Sequence, residues 1–295
     1  MKNMVTIKDI ARESGYSVST VSRVLNHRND VSPDAKKKIE KVVAAYNFVP
    51  NNNAKHLKQS NSKSIGVLVK GIQNMLFASI VEEIQCMIEN TDYTLIVSYL
   101  DEDADEVEQA VLLCRERKPL GLLFLGGNPE YFKKEFAQVD VPCVLVTNLA
   151  DQMDFPNLSS VATDDIAAAK CAVDAVFDAG HTKIGILGGD IEKSYTSHQR
   201  FIGCQQSFLE HDTVFVPEKS YEKARFSYDS AYRGMKRLIA RCPDITAVFA
   251  MSDVMAIGVI RALRDLEYRV PEDVSVIGFD GTALAEYYNP KLATI

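Results

Sequence analysis

Apolar and polar positions follow two different patterns along the chain, and the pattern changes near residue 63. Before that point, apolar residues recur every three or four positions, as in Ile7, Ile10 and Ala11, which is the spacing of one face of an amphipathic helix. After it, short apolar runs such as 64–69 alternate with longer amphipathic stretches. The first pattern predicts an all-α head, and the second predicts buried strands that are separated by helices.

The head has the start and stop signals of three short helices. Thr6 begins a capping-box sequence, and Gly15 ends the first helix, because a left-handed turn favours a residue without a Cβ. Ser17 is the predicted N-cap of a second helix over about 18–25, and Ser32 that of a third. The second helix has a small, polar face: Ser19, Ser22, Arg23 and Asn26. This order is typical of a helix-turn-helix, although a three-helix bundle with a solvated basic face gives the same pattern.

The rest of the chain predicts alternating strands and helices. The strands lie at 64–69, 94–100, 120–126, 143–147, 160–163, 183–188, 247–251 and 275–279. The helices between them lie at 77–89, 105–117, 130–138, 167–179, 197–210, 230–240 and 254–266. Such βαβ units predict an α/β body of two lobes that divides near residue 160, with parallel sheets and helices on both faces. Ligands bind these folds at the carboxyl ends of strands, here in the crevice between the lobes.

Charge is divided between the same two segments. The 295 residues have a net charge of −7, which by itself argues against a nucleic-acid partner. Residues 1–63, however, contain twelve Lys and Arg against five Asp and Glu, a net charge of +7, and the remainder carries −14. The chain therefore has a basic head, which can attract phosphate, and an acidic body.

Several classes of protein are excluded by the sequence. The six cysteines contain no C-x-x-C pair and the five histidines form no ligand-spaced cluster, so we expect neither a disulfide framework nor a metal site. The start lacks a signal-peptide pattern and no apolar run approaches about 18 residues, which predicts a cytoplasmic protein without a membrane segment. No P-loop, G-x-S-x-G or HExxH motif occurs, and Gly188-Gly189-Asp190 indicates a tight turn. We therefore expect no catalytic residue and no cofactor.

The segment Val5 to Asn26, VTIKDIARESGYSVSTVSRVLN, resembles the N-terminal signature of the lactose-repressor/galactose-repressor family of bacterial transcription regulators. The resemblance implies that the second helix enters the major groove of DNA, where Val18, Ser19 and Arg23 read bases. It also implies a set of residues that meet phosphate or support register: Thr6, Ser17, Thr20, Ser22, Asn26 and Ser32. Arginine can pair bidentately with guanine, and short hydroxyls suit phosphate oxygens.

Residues 48–58 resemble the hinge helix of the same family, in which an aromatic residue and Pro-Asn precede a short helix that ends in leucine. Such a segment is too short to be helical alone, so we expect it to fold when two copies pair on DNA. The resemblance places Asn51 and Ala54 in the DNA-binding set and makes Leu57 a wedge that enters a minor-groove base step. The alternative is a polar linker with an incidental leucine, and Asn52-Asn53 departs from the family's usual pair.

The body resembles the periplasmic-binding-protein-like effector domain of that family in four segments: 178–189, 197–204, 251–263 and 270–282. This implies an effector pocket between the lobes, formed by Leu76, Phe77, Arg200, Phe226, Ser252, Asp253 and Asp280. Arg200 and Asp280 would hold effector hydroxyls such as those of a sugar. The alternatives are an ion pair between these two, a helix cap for Asp253, and core packing for both phenylalanines.

Two departures leave the effector open, because Val146-Thr147-Asn148 stands where the family often has Asp, and Gly281 follows Asp280. Residues 288–295 resemble the point at which the family's chain recrosses to the first lobe, so that recrossing is expected to be truncated. The predicted domains are a head at 1–49, a hinge and linker at 50–63, and an effector-binding and dimerisation domain at 64–295. Within the last, lobe one is 64–160 and lobe two is 161–290.

Together these features predict a sequence-specific transcription regulator, a repressor, that binds a pseudo-palindromic operator in double-stranded DNA as a homodimer. A small-molecule effector, a sugar or sugar derivative, would bind in the cleft and control it. Two other functions fit the body alone. A solute-binding module would have no basic head, and an α/β enzyme would need a nucleophile, a metal cluster or a phosphate loop, none of which the sequence contains.

Overall fold

The computed structural model describes residues 6–25, 28, 30–46, 48, 63–150 and 153–295. These residues belong to two compact units, which span 1–60 and 61–295. Four of the residues assigned to DNA binding lie outside the described ranges: Asn26, Asn51, Ala54 and Leu57. In the ranges that are described, no helix is both long enough and apolar enough to cross a membrane.

The described residues of the first unit form three helices: α1 (Ile7–Ser14), α2 (Val18–Leu25) and α3 (Pro33–Ala45). Its core includes Ile10, Val21 and Ile39, one from each helix, all fully buried. This packing explains why three helices of 8 to 13 residues are stable, because isolated helices of that length are marginal in water.

The predicted caps of the head are confirmed. Asp9 Oδ2 accepts hydrogen bonds from the backbone N–H and the hydroxyl of Thr6, at 3.0 and 2.7 Å. Gly15 ends α1 with φ 73°, the left-handed conformation that its missing Cβ permits. Ser17 Oγ accepts from Thr20 N at 3.2 Å, and Ser32 Oγ accepts from Ala35 N at 3.4 Å.

The second unit contains two sheets. The strands are β1 (Ser64–Lys70), β2 (Thr94–Leu100), β3 (Gly121–Leu125), β4 (Cys143–Val146), β5 (Leu158–Val161), β6 (Ile184–Gly188), β7 (Tyr221–Lys223), β8 (Ala247–Ala250), β9 (Ser275–Gly278) and β10 (Ala293–Thr294). The helices are α4 (Met75–Ile88), α5 (Glu106–Arg117), α6 (Pro129–Glu135), α7 (Asp165–Asp178), α8 (Tyr195–Glu210), α9 (Pro217–Ser220), α10 (Tyr228–Arg241), α11 (Asp253–Asp265) and α12 (Ala283–Tyr287). A 3-10 turn at Phe136–Gln138 follows α6.

Each lobe is built on one parallel sheet of five strands. The first has the order β2-β1-β3-β4-β5 and the second the order β10-β9-β8-β6-β7. All the recorded strand pairs are parallel, as the alternation of strands and helices predicts. The multi-domain fold class, an all-α head with a two-lobed α/β body, is thereby confirmed.

The boundary between the lobes lies slightly later than the sequence indicates. The strand predicted at 160–163 occupies Leu158–Val161 and pairs with β4, so it completes the first sheet. The chain then enters the second lobe at α7, which begins at Asp165. At the other end, Ala293 and Thr294 were expected in a recrossing segment but add β10 to the edge of the second sheet.

Close packing in the second lobe depends on two glycines in helices. A Cβ at Gly203 in α8 would overlap the carbonyl oxygen of Ile166 at the start of α7. A Cβ at Gly258 in α11 would likewise overlap the carbonyl oxygen of Tyr228 at the start of α10. These glycines let the helices of each pair approach closely at the ends that face the crevice.

Candidate functional site

A cleft of about 940 Å³, including its solvent-filled mouth, lies between the two lobes. On the first lobe its walls come from the ends of β1, β2, β3 and β4 and the start of α4: Lys70, Leu76, Phe77, Glu102, Asp103, Asn128, Thr147 and Asn148. On the second lobe they come from the ends of β6, β7 and β9 and the start of α8: Gly189, Asp190, Lys193, Thr196, Arg200, Phe226 and Asp280. The cleft therefore occupies the carboxyl edges of both sheets, where open α/β sheets bind ligands.

Arg200 is a buried cation at the centre of the second-lobe wall. Its Nε donates to Asp165 Oδ1 at 2.8 Å, and its Nη1 donates to the carbonyl oxygen of Met251. The guanidinium carbon lies 3.5 Å from the centre of the Phe279 ring, which supports it from behind. Nη2 forms no hydrogen bond with any of the described residues, and it lies 4.0 Å from Asp280 Oδ1.

Asp280 is the matching acceptor. Its side chain is 3% exposed, and Oδ2 is a buried atom that has no hydrogen-bond partner within the described ranges. Burial raises the pKa of Asp280 to about 7, against the opposing effect of Arg200, and the carboxylates of Asp253 and Asp165 raise it further. Its backbone φ of 118° is unusual for a residue with a Cβ, and such strain clusters at binding sites.

The alternative of an ion pair between Arg200 and Asp280 is met only as a long contact, 4.0 Å between Nη2 and Oδ1. The closest carboxylate of Arg200 is Asp165, which the sequence did not single out, and the 4.0 Å separation from Asp280 is too long for a hydrogen bond. Asp165 lies at the first position of α7, directly after the chain enters the second lobe. It holds the guanidinium in place, and both Arg200 and Asp280 line the cleft.

The apolar side chains assigned to the pocket have two roles at once. Phe77 is 8% exposed and packs in the first-lobe core beneath Gly126, yet it lines the cleft with Leu76. The Phe226 ring lies against Gly189 and also contacts the second-lobe cores. The sequence left core packing and pocket lining as alternatives for these phenylalanines. In the structure each of them does both.

Ser252 and Asp253 lie behind the cleft and are absent from its walls. Ser252 Oγ caps α11 by accepting from Met255 N at 3.3 Å, so the cap expected at Asp253 is one residue earlier. Asp253 accepts from Thr282 N at 2.7 Å and from the Thr294 hydroxyl at 2.6 Å. Because Thr282 is two residues beyond Asp280, this buried carboxylate anchors the loop that carries the acceptor.

Direct hydrogen bonds also cross between the lobes inside the cleft. Thr196 Oγ1 donates to Asn148 Oδ1 at 3.0 Å, and Asn128 Nδ2 donates to the carbonyl oxygen of Lys193 at 3.1 Å. Asn148 belongs to the segment Val146-Thr147-Asn148, which stands where the family often has Asp, and its Nδ2 also donates to the carbonyl oxygen of Gly127. Sequence reasoning noted Asn148 only as a departure, but its position after a strand end was a signal that it faces the crevice.

A buried ion pair lies on the first-lobe side of the cleft. Lys70 Nζ lies 2.5 Å from Glu106 Oε2, with side-chain exposures of 10% and 1%, and 4.7 Å from the centre of the Tyr131 ring. Burial raises the pKa of Glu106, and Lys70 opposes that rise. Glu106 also accepts from Asn128 N at 2.5 Å, so the pair fixes the β3 loop that holds Asn128 in the cleft.

The head presents the surface that the sequence assigns to DNA. Val18 is 41% exposed on α2, and Ser19 and Arg23 are exposed beside it. The Ser17 hydroxyl lies 2.7 Å from Ser19 Oγ and 2.9 Å from Thr20 Oγ1, which gathers three hydroxyls at the start of α2. Arg23 and Asp30 are 3.7 Å apart and mostly solvent-exposed, so this contact holds the guanidinium weakly. Ser22 is half-buried on the same helix, and Thr6 lies at the start of α1.

No group of three His, Cys, Asp or Glu side chains in the described part of the chain has the arrangement of a metal site. The buried thiols do not suggest chemistry either, because burial raises the pKa of Cys143 to about 12 and also raises that of Cys204. What the cleft offers instead is hydrogen bonding, with Arg200 and Asp280 among its polar groups and the rings of Phe77 and Phe226 in its walls.

Comparison with known proteins identifies both units. The family described as "Bacterial regulatory proteins, lacI family" matches residues 6–51, and the "Periplasmic binding protein-like domain" matches residues 173–295. The chain is 35% identical to the HTH-type transcriptional regulator MalR of Clostridium butyricum, over 99% of this chain and 87% of MalR. It is 30% identical to the ribose operon repressor of Haemophilus influenzae, over 99% of this chain and 86% of the repressor.

Solved structures have the same fold. The lac repressor dimer bound to operator and the anti-inducer ONPF superposes with a TM-score of 0.74 at 24% identity, covering 98% of this chain and 86% of that one. The transcriptional regulator CelR in complex with cellobiose gives a TM-score of 0.68 at 24% identity, covering 98% of this chain and 87% of the other. At this identity the likeness shows the fold alone, a helix-turn-helix head and a two-lobed α/β body.

Proposed function

Because the chain belongs to the lacI family of bacterial regulatory proteins, we propose that it represses transcription as a homodimer on a pseudo-palindromic operator, controlled by an effector in its cleft. The proposed domains are the DNA-binding head at 1–49, the hinge and linker at 50–63, and the effector and dimerisation domain at 64–295. The protein acts without a catalytic residue, a metal or a cofactor, and it works in the cytoplasm, where its DNA target lies.

The observation that carries the effector proposal is the pair formed by Arg200 and Asp280. Arg200 presents an unused N–H group at Nη2, 4.0 Å from Asp280 Oδ1, and Oδ2 of Asp280 is unpartnered as well. A ligand hydroxyl that both donates and accepts can bridge the two residues. A sugar offers hydroxyls that donate and accept at once, together with an apolar ring face for Phe77 and Phe226 to contact. The names of relatives agree, since a ribose operon repressor and a cellobiose complex are among them.

DNA binding is assigned to the exposed face of α2. Val18, Ser19 and Arg23 meet base edges in the major groove, and the hydroxyls of Ser17 and Thr20 meet phosphate. The supporting residues are Thr6, Ser22, Asn26 and Ser32. The net charge of +7 on residues 1–63 supplies the phosphate attraction, and the −14 of the remainder keeps the body away from DNA.

Control of DNA binding is assigned to the hinge. We expect Asn51, Ala54 and Leu57 to form part of a helix that pairs with its copy and enters the central minor groove. An effector that prefers one arrangement of the lobes changes the spacing of the two hinges, and it thereby shifts the population that can bind the operator. The same linkage gives induction or co-repression according to which arrangement the effector prefers.

Selection of bound DNA from a random pool, with and without a panel of neutral sugars, tests this function. We expect an enriched palindrome, with a steep loss of affinity as salt rises, and a sugar that changes the affinity. Asp280→Asn should keep the palindrome and lose the sugar response. Arg261→Ala, which removes an exposed arginine paired with Asp265 on α11, is the control and should keep both. A pool without any enriched palindrome would refute the proposal.

A further inference from the structure

The turn after β2 contains three consecutive acids, Asp101, Glu102 and Asp103, which we call the acidic turn. It belongs to the first lobe, and Glu102 and Asp103 line the mouth of the cleft. One arginine of the second lobe, Arg225, contacts all three acids although it lies more than 120 residues away in the sequence. The cluster therefore joins the two lobes at the entrance to the cavity.

The contacts are close and directional. Arg225 Nε donates to Glu102 Oε1 at 2.6 Å, and Nη2 lies 2.5 Å from Asp101 Oδ1 and 3.6 Å from Asp103 Oδ2. The backbone N–H of Asp103 also donates to Asp101 Oδ1 at 3.0 Å, which holds the acidic turn in shape. A planar guanidinium that bridges two carboxylates in this way is more specific than a single surface ion pair.

Glu102 connects this cluster to the ligand wall. Its second oxygen, Oε2, accepts a hydrogen bond from the backbone N–H of Phe226 at 3.2 Å. The Phe226 ring lines the cleft, whereas Arg225 itself does not. The backbone N–H of Arg225 donates to Ser230 Oγ at 2.9 Å, so the segment that carries both residues is tied to α10 as well.

The charges of the cluster depend on one another. Burial raises the pKa of Glu102, and the hydrogen bond and charge of Arg225 lower it again, so the arginine favours the ionised carboxylate that accepts from Phe226 N. Arg225 is 50% exposed, and three carboxylates surround one guanidinium. The attraction between the lobes is therefore open to screening by salt.

We propose that Arg225 and the acidic turn form an inter-lobe clasp that holds Phe226 over the cavity, which makes Arg225 and Glu102 positioning residues for ligand recognition. The consequence for ligand binding rests on the proposed function, whereas the clasp itself does not. When the clasp is closed, the aromatic wall is fixed before a ligand arrives. When it opens, Phe226 and the first lobe separate. The ligand must then restore their contact as it binds, and this cost weakens its affinity.

Hydrogen exchange in the full, unliganded chain tests the clasp without any effector. Arg225→Ala should speed exchange of the Phe226 amide by roughly three- to tenfold at low salt, and the difference should shrink at high salt. Arg233→Ala is the control: Arg233 pairs with Asp229 one turn away on α10, at 2.5 Å and with similar exposure, but within one lobe. Equal exchange in the Arg225 and Arg233 variants would refute the clasp.

Reversing the charges of two clasp residues separates their positioning of Phe226 from an effect on general stability. Arg225→Glu alone should open the clasp further, because it adds a fourth acid to the cluster. Combining it with Asp101→Arg, which leaves Glu102 as the acceptor of the Phe226 amide, should restore protection of that amide. In Arg225→Lys the Phe226 amide should be only partly protected, because an ammonium cannot bridge two carboxylates as a guanidinium does. If the Phe226 amide is no better protected in the double variant than in Arg225→Glu, a direct pairing of Arg225 with Asp101 is contradicted.

The role in recognition is tested by titrating neutral pentoses, hexoses and disaccharides into the full chain by calorimetry. For any sugar that binds, Arg225→Ala should raise Kd by roughly three- to tenfold at low salt, and Arg233→Ala should leave it unchanged. An unchanged Kd in Arg225→Ala would refute the positioning role. If no sugar binds while the exchange results hold, the proposed effector class is wrong and the clasp stands.

Discussion

Arg200 Nη2 and Asp280 Oδ1 face each other across 4.0 Å, a distance that admits a hydrogen-bonded ligand but no direct hydrogen bond. Each residue is held from behind, Arg200 by Asp165 and Asp280 by the loop that Asp253 anchors. The two residues are therefore a donor and an acceptor that are held in place, while Arg200 Nη2 and Asp280 Oδ2 have no hydrogen-bond partner among the described residues. Buried polar atoms are normally satisfied within a protein, and the unpartnered Oδ2 of Asp280 is therefore an observation on which the proposed effector site rests.

The raised pKa of Asp280 predicts a pH-dependent stability. In the unfolded chain this carboxyl titrates near 3.8, and in the folded chain at about 7. Between these values the folded state binds more protons than the unfolded state, so the contribution of Asp280 to the free energy of unfolding falls as pH rises, by on the order of 4 kcal/mol in total. Asp280→Asn should therefore flatten the profile of unfolding free energy between about pH 4 and pH 7.

Asp273→Asn is a suitable comparison for that measurement. Arg269 lowers the pKa of the exposed Asp273 carboxyl to about 2, so its contribution is lost only below about pH 4. Urea unfolding of both variants across pH 4 to 8 separates the two effects. If the free energy of unfolding has the same pH dependence in Asp280→Asn as in the original sequence over that window, the carboxyl of Asp280 is not protonated in the folded protein.

Gly203 should tolerate no side chain. A Cβ there would overlap the carbonyl oxygen of Ile166 and press on the backbone of Lys170, and neither is a flexible side chain that could move aside. Gly203→Ala should lower the free energy of unfolding by about 1–3 kcal/mol, despite alanine being the better helix former. Gln206→Ala, on the exposed face of the same helix, should be neutral or slightly stabilising in the same urea titration. A stabilised Gly203→Ala would show that α7 and α8 are not in close contact.

Arg23 is expected to read a base. Arg23→Ala should weaken binding to the selected operator by about 1–3 kcal/mol and relax the sequence preference at one position of each half-site. Arg12, an exposed arginine of α1 paired with Asp9, is the matched control, and its replacement by alanine should leave that preference unchanged. Both are measured by repeating the random-pool selection with each variant. A full preference retained in Arg23→Ala would remove Arg23 from the base-reading set.

Leu57 is expected to act as a wedge in the minor groove. Leu57→Ala should reduce specific operator affinity and spare nonspecific binding, because the lost contact forms only on a kinked site. Gel shifts on the selected operator and on scrambled DNA, together with footprints, measure the specific and the nonspecific affinity. Lys55→Ala should instead weaken binding to both DNAs equally, as the loss of a cation near phosphate would. Unchanged specific affinity in Leu57→Ala would exclude the wedge.

Much of the cleft was predictable from the order of elements. Lys70, Asn148, Asp190 and Asp280 all lie at or just beyond the carboxyl end of a parallel strand, and that edge is where such sheets bind ligands. Short strands were harder to predict. β7 has three residues and β10 has two, and so few positions cannot establish a period of two.

Local sequence determined the elements of this protein and the kind of protein it is. Capping residues set the ends of α1 to α3, apolar runs set the eight predicted strands, and the charge split separated a DNA-attracting head from an acidic body, because each of these depends on neighbours in the chain. Tertiary structure decided which groups remain free in the cleft. Asp165 rather than Asp280 binds Arg200 closely, and Arg225 meets the acidic turn across the lobes. Such pairings depend on how two folded lobes face each other, and no spacing along the chain encodes that geometry.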